Sequence, residues 1–219
     1  MRTIRCYIDA PLAEGAVVAL PEETTAHLVR VLRLSVGDVV HLFNGDGHDH
    51  RAELVSVAKR GAEARVGAAL AVANESPLRI TLAQGIARGE KMDLVLQKAT
   101  ELGVAAFAPV STERTEVRLD PERAGKRLAH WLGVVQSACG QSGRARLPAV
   151  AEPRSLATYA AAETATVKLA LDPEGELDLR ALALPPDASV ALLVGPEGGL
   201  SERDLATARA AGFRGLRLG

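Results

Sequence analysis

The sequence predicts an α/β protein: a small N-terminal β-barrel, then a larger domain in which a parallel sheet is flanked by helices. Two rhythms along the chain predict it. Residues 1–74 read as short strands separated by Gly-rich turns. Residues 77–219 alternate apolar strands with helical stretches, the pattern of a largely parallel sheet. Composition agrees. Hydrophobic residues make up 47% and aromatics only 3%, so the core is built from Leu, Val and Ala. Such a core suits α/β layering better than an aromatic-rich β-sandwich.

In the first part, Arg5–Ile8 and Ala16–Leu20 read as strands. Val39–Phe43 ends at Asn44-Gly45-Asp46-Gly47, a strong turn signal. His50–Val57 and Ala64–Val72 continue the series. One helix is predicted after Pro21, where Leu28, Val31, Leu32 and Val36 recur near helical spacing. Asn74-Glu75-Ser76-Pro77 breaks the pattern and reads as a linker.

From Leu78 the rhythm changes. Leu78–Gln84 is a predicted strand, and Lys91–Leu102 a helix closed by Gly103 at C′. Ala105–Val110 is a strand. A long helix runs from Pro121 to about Cys139, with Pro where a first turn tolerates it. Ser155–Ala162 is a short helix, and Val167–Leu171 and Val190–Val194 are strands. Ser201 is the predicted N-cap of the next helix, and Asp204 three residues on resembles a capping box. Gly212 ends that helix and Leu216–Leu218 begins one more strand.

Charge narrows the function. The formal net charge is −1, but residues 77–150 carry 11 Lys+Arg against 7 Asp+Glu while both flanks are acidic. Local clustering of cations is what a phosphate backbone responds to, although solvated helix faces collect such charges too. No apolar run approaches the roughly 18 residues that cross a bilayer. No secretory signal follows Arg2 and Arg5, and Cys6 and Cys139 have no metal or redox spacing. A reducing cytoplasm is the expected setting, with no membrane partner.

Several segments carry candidate chemistry. Gly195-Pro196-Glu197-Gly198-Gly199 joins a buried strand to a helix start. Glycine lets backbone N–H groups approach a ligand, and the carboxyl end of a central strand is where open α/β sheets bind small molecules. A plain strand-to-helix connection is the alternative. Arg88-Gly89-Glu90-Lys91-Met92 occupies the same end of an earlier strand. Arg88 and Lys91 there suit phosphate at a helix N-terminus, or Glu90 merely caps the helix. Gln141-Ser142-Gly143-Arg144-Ala145-Arg146 offers polar donors and arginines suited to RNA. Arg30 and Arg33 on the N-terminal helix face either a phosphate chain or solvent. Asp46, His48, Asp49 and His50 form a ligand-like cluster, but a turn reading is preferred and no metal is expected.

Together these segments resemble the RsmE-type family of ribosomal RNA methyltransferases. The resemblance rests on His27–Arg33, Arg88–Met92, Gln97–Val104, Ser111–Arg114, Gln141–Arg144 and Gly195–Gly199, in family order over nearly the whole chain. It implies a PUA-like β-barrel over 1–74 and a SPOUT domain over 77–219 with a trefoil knot near its C-terminus. It further implies a homodimer and methylation of N3 of a uridine in 16S ribosomal RNA, free or in the assembled 30S subunit. S-adenosyl-L-methionine would sit against Leu171, Gly195, Pro196, Glu197, Gly198, Gly199, Leu218 and Gly219. Arg88 is the candidate for substrate or anion contact, and Arg30, Arg33, Lys91, Arg114, Gln141 and Arg144 are the candidates for RNA. Where this chain has Gly140 the family usually has glutamate. Family members also continue past the position of Gly219 with a stretch that closes the cofactor pocket, so further catalytic groups are expected there. A non-catalytic RNA-binding protein of the same fold and a ribose-methylating relative are the alternatives.

Overall fold

The computed structural model describes residues 4–58, 61–116 and 121–218, with the first two residues of the helix starting at 121 described by backbone alone. The chain forms two compact units. The first comprises Met1–Glu75 with Gln136–Leu147, and the second Ser76–Val135 with Pro148–Gly219.

The first unit holds β1 (Arg5–Tyr7), β2 (Val17–Leu20), α1 (Glu22–Ala26), β3 (Val39–Phe43), β4 (His48–Val57) and β5 (Ala62–Ala71). The strands form one sheet in the order β1-β3-β4-β5-β2, with β1 and β3 parallel and the other pairs antiparallel. Alternation puts Ala52 and Leu54 of β4 and Ala62, Ala64 and Val66 of β5 into one core with Leu28 and Leu42. Two register shifts, at His50/Ala52 and Leu54/Ser56, mark bulges or irregularities in the β4–β5 ladder. Such irregularities increase local twist and bend a sheet.

The predicted N-terminal helix is cut short. After α1, residues His27–Val31 form a π-helical turn in which Leu32 N–H reaches the His27 carbonyl. The extra residue in that turn rotates the next side chains off the helical stripe. Arg33 then adopts φ 57°, which stops the helix. Only Leu28 of the four periodic residues is therefore buried, while Val31, Leu32 and Val36 stand exposed.

An internal ion pair ties this unit together. Arg5 donates from Nε and Nη2 to both oxygens of Asp49, at 2.6 to 3.1 Å. It also donates to the carbonyls of Cys139 at 2.7 Å and Arg144 at 3.0 Å. Its guanidinium lies 4.5 Å from the centre of the Phe43 ring. These bonds explain why residues 136–147, distant in sequence, belong to the first unit.

The second unit holds β6 (Arg79–Gly85), α2 (Glu90–Glu101), β7 (Ala106–Ser111) and the first part of α3 (Pro121–Ser142). There follow β8 (Ala149–Val150), β9 (Arg154–Ser155), α4 (Leu156–Ala162), β10 (Val167–Leu171), β11 (Leu177–Asp178), β12 (Ser189–Val194), α5 (Glu202–Ala210) and β13 (Arg214–Arg217). The sheet order is β11-β13-β10-β12-β6-β7-β8, with β9 also beside β7, and every pairing is parallel. Small side chains Ala83, Ala108, Ala170 and Ala191 face one way and let Leu156, Tyr159, Leu205 and Phe213 pack down on them. Leu169, Val190 and Leu216 build a separate core. Parallel strands bring their carboxyl ends to one edge of the sheet, and that edge carries the glycine loop.

Candidate active site

The glycine loop is shaped by its neighbours as much as by its own sequence. Gly199 sits at φ 72°, a conformation costly for any residue with a Cβ, and its N–H closes a turn onto the Pro196 carbonyl at 2.8 Å. A Cβ on Gly195 would lie 2.5 Å from the Gly199 carbonyl carbon. A Cβ on Gly85, at the end of β6, would lie 2.5 Å from the nitrogen of Pro196. The Gln84 side chain, almost fully buried, donates to the Gly195 carbonyl at 3.0 Å and the Gly85 carbonyl at 2.9 Å. The loop is thus wedged against the end of β6 and leaves a backbone surface with few side chains.

Helix α5 starts directly behind it. Ser201 and Asp204 form the predicted capping box, each side chain accepting the other's backbone N–H at about 3 Å. Asp204 also accepts the Glu113 N–H at 3.2 Å, which holds the loop after β7 to the same point.

Charges surround the loop. Glu197 Oε1 accepts the Arg88 N–H at 3.1 Å and lies 3.6 Å from Lys91 Nζ. Its own backbone N–H first, and that of Arg88 second, hold the Glu197 carboxyl below the usual range. The exposed Arg88 guanidinium pairs with Glu116. Arg114 Nη1 donates to the Gly198 carbonyl at 2.6 Å. Arg88, Lys91 and Arg114 therefore meet Gly195–Gly199 at one edge of the sheet. Leu171 ends β10 and Leu218 directly follows β13, and these two strands pair in parallel. Gly219 lies outside the described residues.

The remaining RNA candidates fall in the first unit. Arg30, Arg33 and Gln141 are exposed. Arg144 is only 4% exposed, and its guanidinium grips Glu75 through bonds of 2.6 and 3.2 Å. Its charge is spent within the fold, in the segment just after α3, whose last residues include Gln141. Asp46 accepts the N–H of His48 at 2.8 Å and bonds the His50 ring at 3.1 Å, the local bonding of a turn residue. Burial works against ionisation of Asp46, but these bonds outweigh it and hold the carboxyl low. Sequence reasoning missed Gln84 and Gly85, whereas Asp172 lies within Leu171–Glu174, the stretch that the resemblance implies as a second wall of the cofactor pocket. Gly85 closes an apolar strand run, the one signal that could have found it.

Comparison with known proteins places this geometry. The family described as the RNA methyltransferase domain matches residues 74–219, and the RNA methyltransferase PUA domain matches 20–67. The ribosomal RNA small subunit methyltransferase E of Bacillus subtilis is 31% identical over 66% of this chain and 56% of its own length. That of Synechocystis is 35% identical over 66% of this chain and 46% of its own. The matched segments thus take in about half the length of these relatives. Among solved structures, the Neisseria gonorrhoeae ribosomal RNA small subunit methyltransferase E bound to S-adenosyl methionine aligns with a TM-score of 0.93. It is 40% identical and the match covers 100% of this chain and 90% of that one. A Legionella pneumophila protein solved with the same cofactor gives a TM-score of 0.94 at 38% identity, over 100% of this chain and 90% of that one.

Proposed function

We propose, from the premise that this chain belongs to the RNA methyltransferase family, that it transfers the methyl group of S-adenosylmethionine to N3 of a uridine in small-subunit ribosomal RNA. The observation that carries this reading is the glycine loop wedged against the end of β6 with cations gathered at its mouth. A backbone surface poor in side chains suits a ligand that must lie close, which is the fit expected for the cofactor. Gly195–Gly199, Leu171, Leu218 and Gly219 are its proposed contacts.

The cofactor supplies an electrophilic methyl group, so the protein's work is to position the reactants. The uracil imide must also lose a proton, and negative charge then develops on the ring. Arg88 is the proposed group that meets that charge. It must exchange Glu116 for the substrate to do so. Glu197, held ionised, keeps Lys91 and the Arg88 backbone in place beside the loop. Arg114 acts on the loop through the Gly198 carbonyl. The target base leaves its stack to reach such a site, as in other base-modifying enzymes.

Residues 1–74 are proposed as the RNA-binding domain and 77–219 as the methyltransferase domain, in a homodimeric cytoplasmic protein with the knotted topology of its family. The substrate is the ribosomal RNA or the assembled 30S subunit. Titration calorimetry with S-adenosylmethionine is expected to give one binding site per chain. Mass mapping of ribosomal RNA after reaction is expected to find the methyl group on the base. A methylated ribose would replace the uridine-N3 reading, and absence of any cofactor heat would defeat the enzyme reading.

Arg30, Arg33 and Gln141 of the first unit are proposed to hold RNA phosphates. The double variant Arg30→Ala/Arg33→Ala is expected to weaken RNA binding and to lower the slope of log K against log salt by about 2, one for each phosphate no longer neutralised. An unchanged slope would remove these two residues from the footprint.

A further inference from the structure

We infer that Asp172 is a positioning residue for the cofactor wall, acting through its ion pair with Arg209 to lock the turn after β10 onto β13. This rests on the proposed contact between S-adenosylmethionine and Leu171, the residue before it.

Asp172 is 6% exposed, and every polar group it has is engaged. One carboxylate oxygen accepts the Glu174 N–H at 3.0 Å. The other accepts Arg209 Nη2 of α5 at 3.2 Å. Its backbone N–H donates to the Leu216 carbonyl of β13 at 3.1 Å, and its carbonyl accepts the Gly175 N–H at 2.9 Å. One residue thus joins the end of β10, the following turn, β13 and the last part of α5.

The turn it holds has no slack. A Cβ on Gly175 would lie 2.6 Å from the Gly215 carbonyl carbon, so two backbones cross in direct contact. A Cβ on Gly215 would lie 3.4 Å from the Asp172 carboxylate itself. A turn pressed this closely on a strand has a defined shape only while something draws it down. The carboxylate supplies that pull, because it answers a turn N–H and the cation of α5 together. An amide of the same shape still accepts from Glu174 but presents no charge to Arg209. Arg209 itself is more than half exposed, so the pair contributes little to global stability. Its effect is local, on the position of Leu171 and the turn.

The test uses the full chain with calorimetry, steady-state kinetics and amide exchange. Asp172→Asn is expected to raise the Kd and KM for S-adenosylmethionine about tenfold with kcat changed less than twofold. Exchange at residues 172–176 is expected to rise. Arg209→Met should act in the same direction, Arg209→Lys should restore most of the affinity, and the double variant Asp172→Asn/Arg209→Met should be no worse than either single one. Cofactor affinity within twofold of the parent in Asp172→Asn, or single effects that simply add, would overturn the inference. A parent chain that takes up no S-adenosylmethionine defeats the cofactor reading instead, and the inference falls with it.

Discussion

Replacing Gly85 by alanine is expected to abolish S-adenosylmethionine binding and to destabilise the protein by about 1–3 kcal/mol, the usual cost of overpacking a filled interior. Gly85 does not need a left-handed backbone, so the effect is purely steric. The new methyl group would stand 2.5 Å from the nitrogen and Cδ of Pro196 and 2.8 Å from the Gly195 carbonyl carbon. Neither backbone atom is the movable end of a side chain, so the glycine loop or β6 must shift. Gly133→Ala, in α3, provides the contrast. Nothing lies within 4 Å of its Cβ position, and alanine there is expected to stabilise by about 0.5–1 kcal/mol. Calorimetry with the cofactor and urea unfolding read both variants. Parent-like affinity in Gly85→Ala would mean that the loop owes its shape to something other than its seat on β6.

Asp49→Ala is expected to be the most damaging change in the first unit, costing about 3–5 kcal/mol, because it leaves a buried cation without its counter-ion. Arg5 has a side chain only 7% exposed, and Asp49 is its one carboxylate partner among the described residues. The carbonyls of Cys139 and Arg144 would stay bonded to it but cannot neutralise it. Arg5→Met has its own cost, since those carbonyls and the Asp49 carboxylate lose their donors. The two changes together should cost clearly less than their sum, as groups in direct contact do. Urea unfolding of the two single variants and the double variant measures this. A loss under about 1 kcal/mol for Asp49→Ala, the range of exposed pairs, would show that water screens this one.

Much of this architecture is legible locally. The switch from hairpin-like strands to alternating strands and helices marks the two folds. Ser201 and Asp204 announce the start of α5 because a capping box involves only residues three apart. The edge that carries the glycine loop follows from strand polarity alone. What the sequence does not display is settled over distance. Arg5 meets Asp49 across 44 positions and Cys139 across 134, so no window along the chain relates them. Arg144 reads as a candidate RNA contact until its partner Glu75, 69 residues earlier, is seen beside it. Helical periodicity fails at His27–Val31 because a π turn spends one residue too many, and nothing in residue type alone announces that. The two-residue strands β8 and β9 are too short to carry a period.

The order β11-β13-β10 also has a kinetic meaning. Strand β13 lies between two strands made well before it. Until Arg214–Arg217 has been synthesised, β11 lacks the neighbour against which it pairs, and the turn at Asp172–Glu176 has nothing to close upon. Assembly of this edge must therefore wait for β13, and the pairing it then makes is long-range, the kind that slows folding. The first unit faces a milder delay, since Gln136–Leu147 must arrive before Arg5 can be fully satisfied. In each unit, then, early strands or side chains wait for partners that a ribosome delivers many residues later.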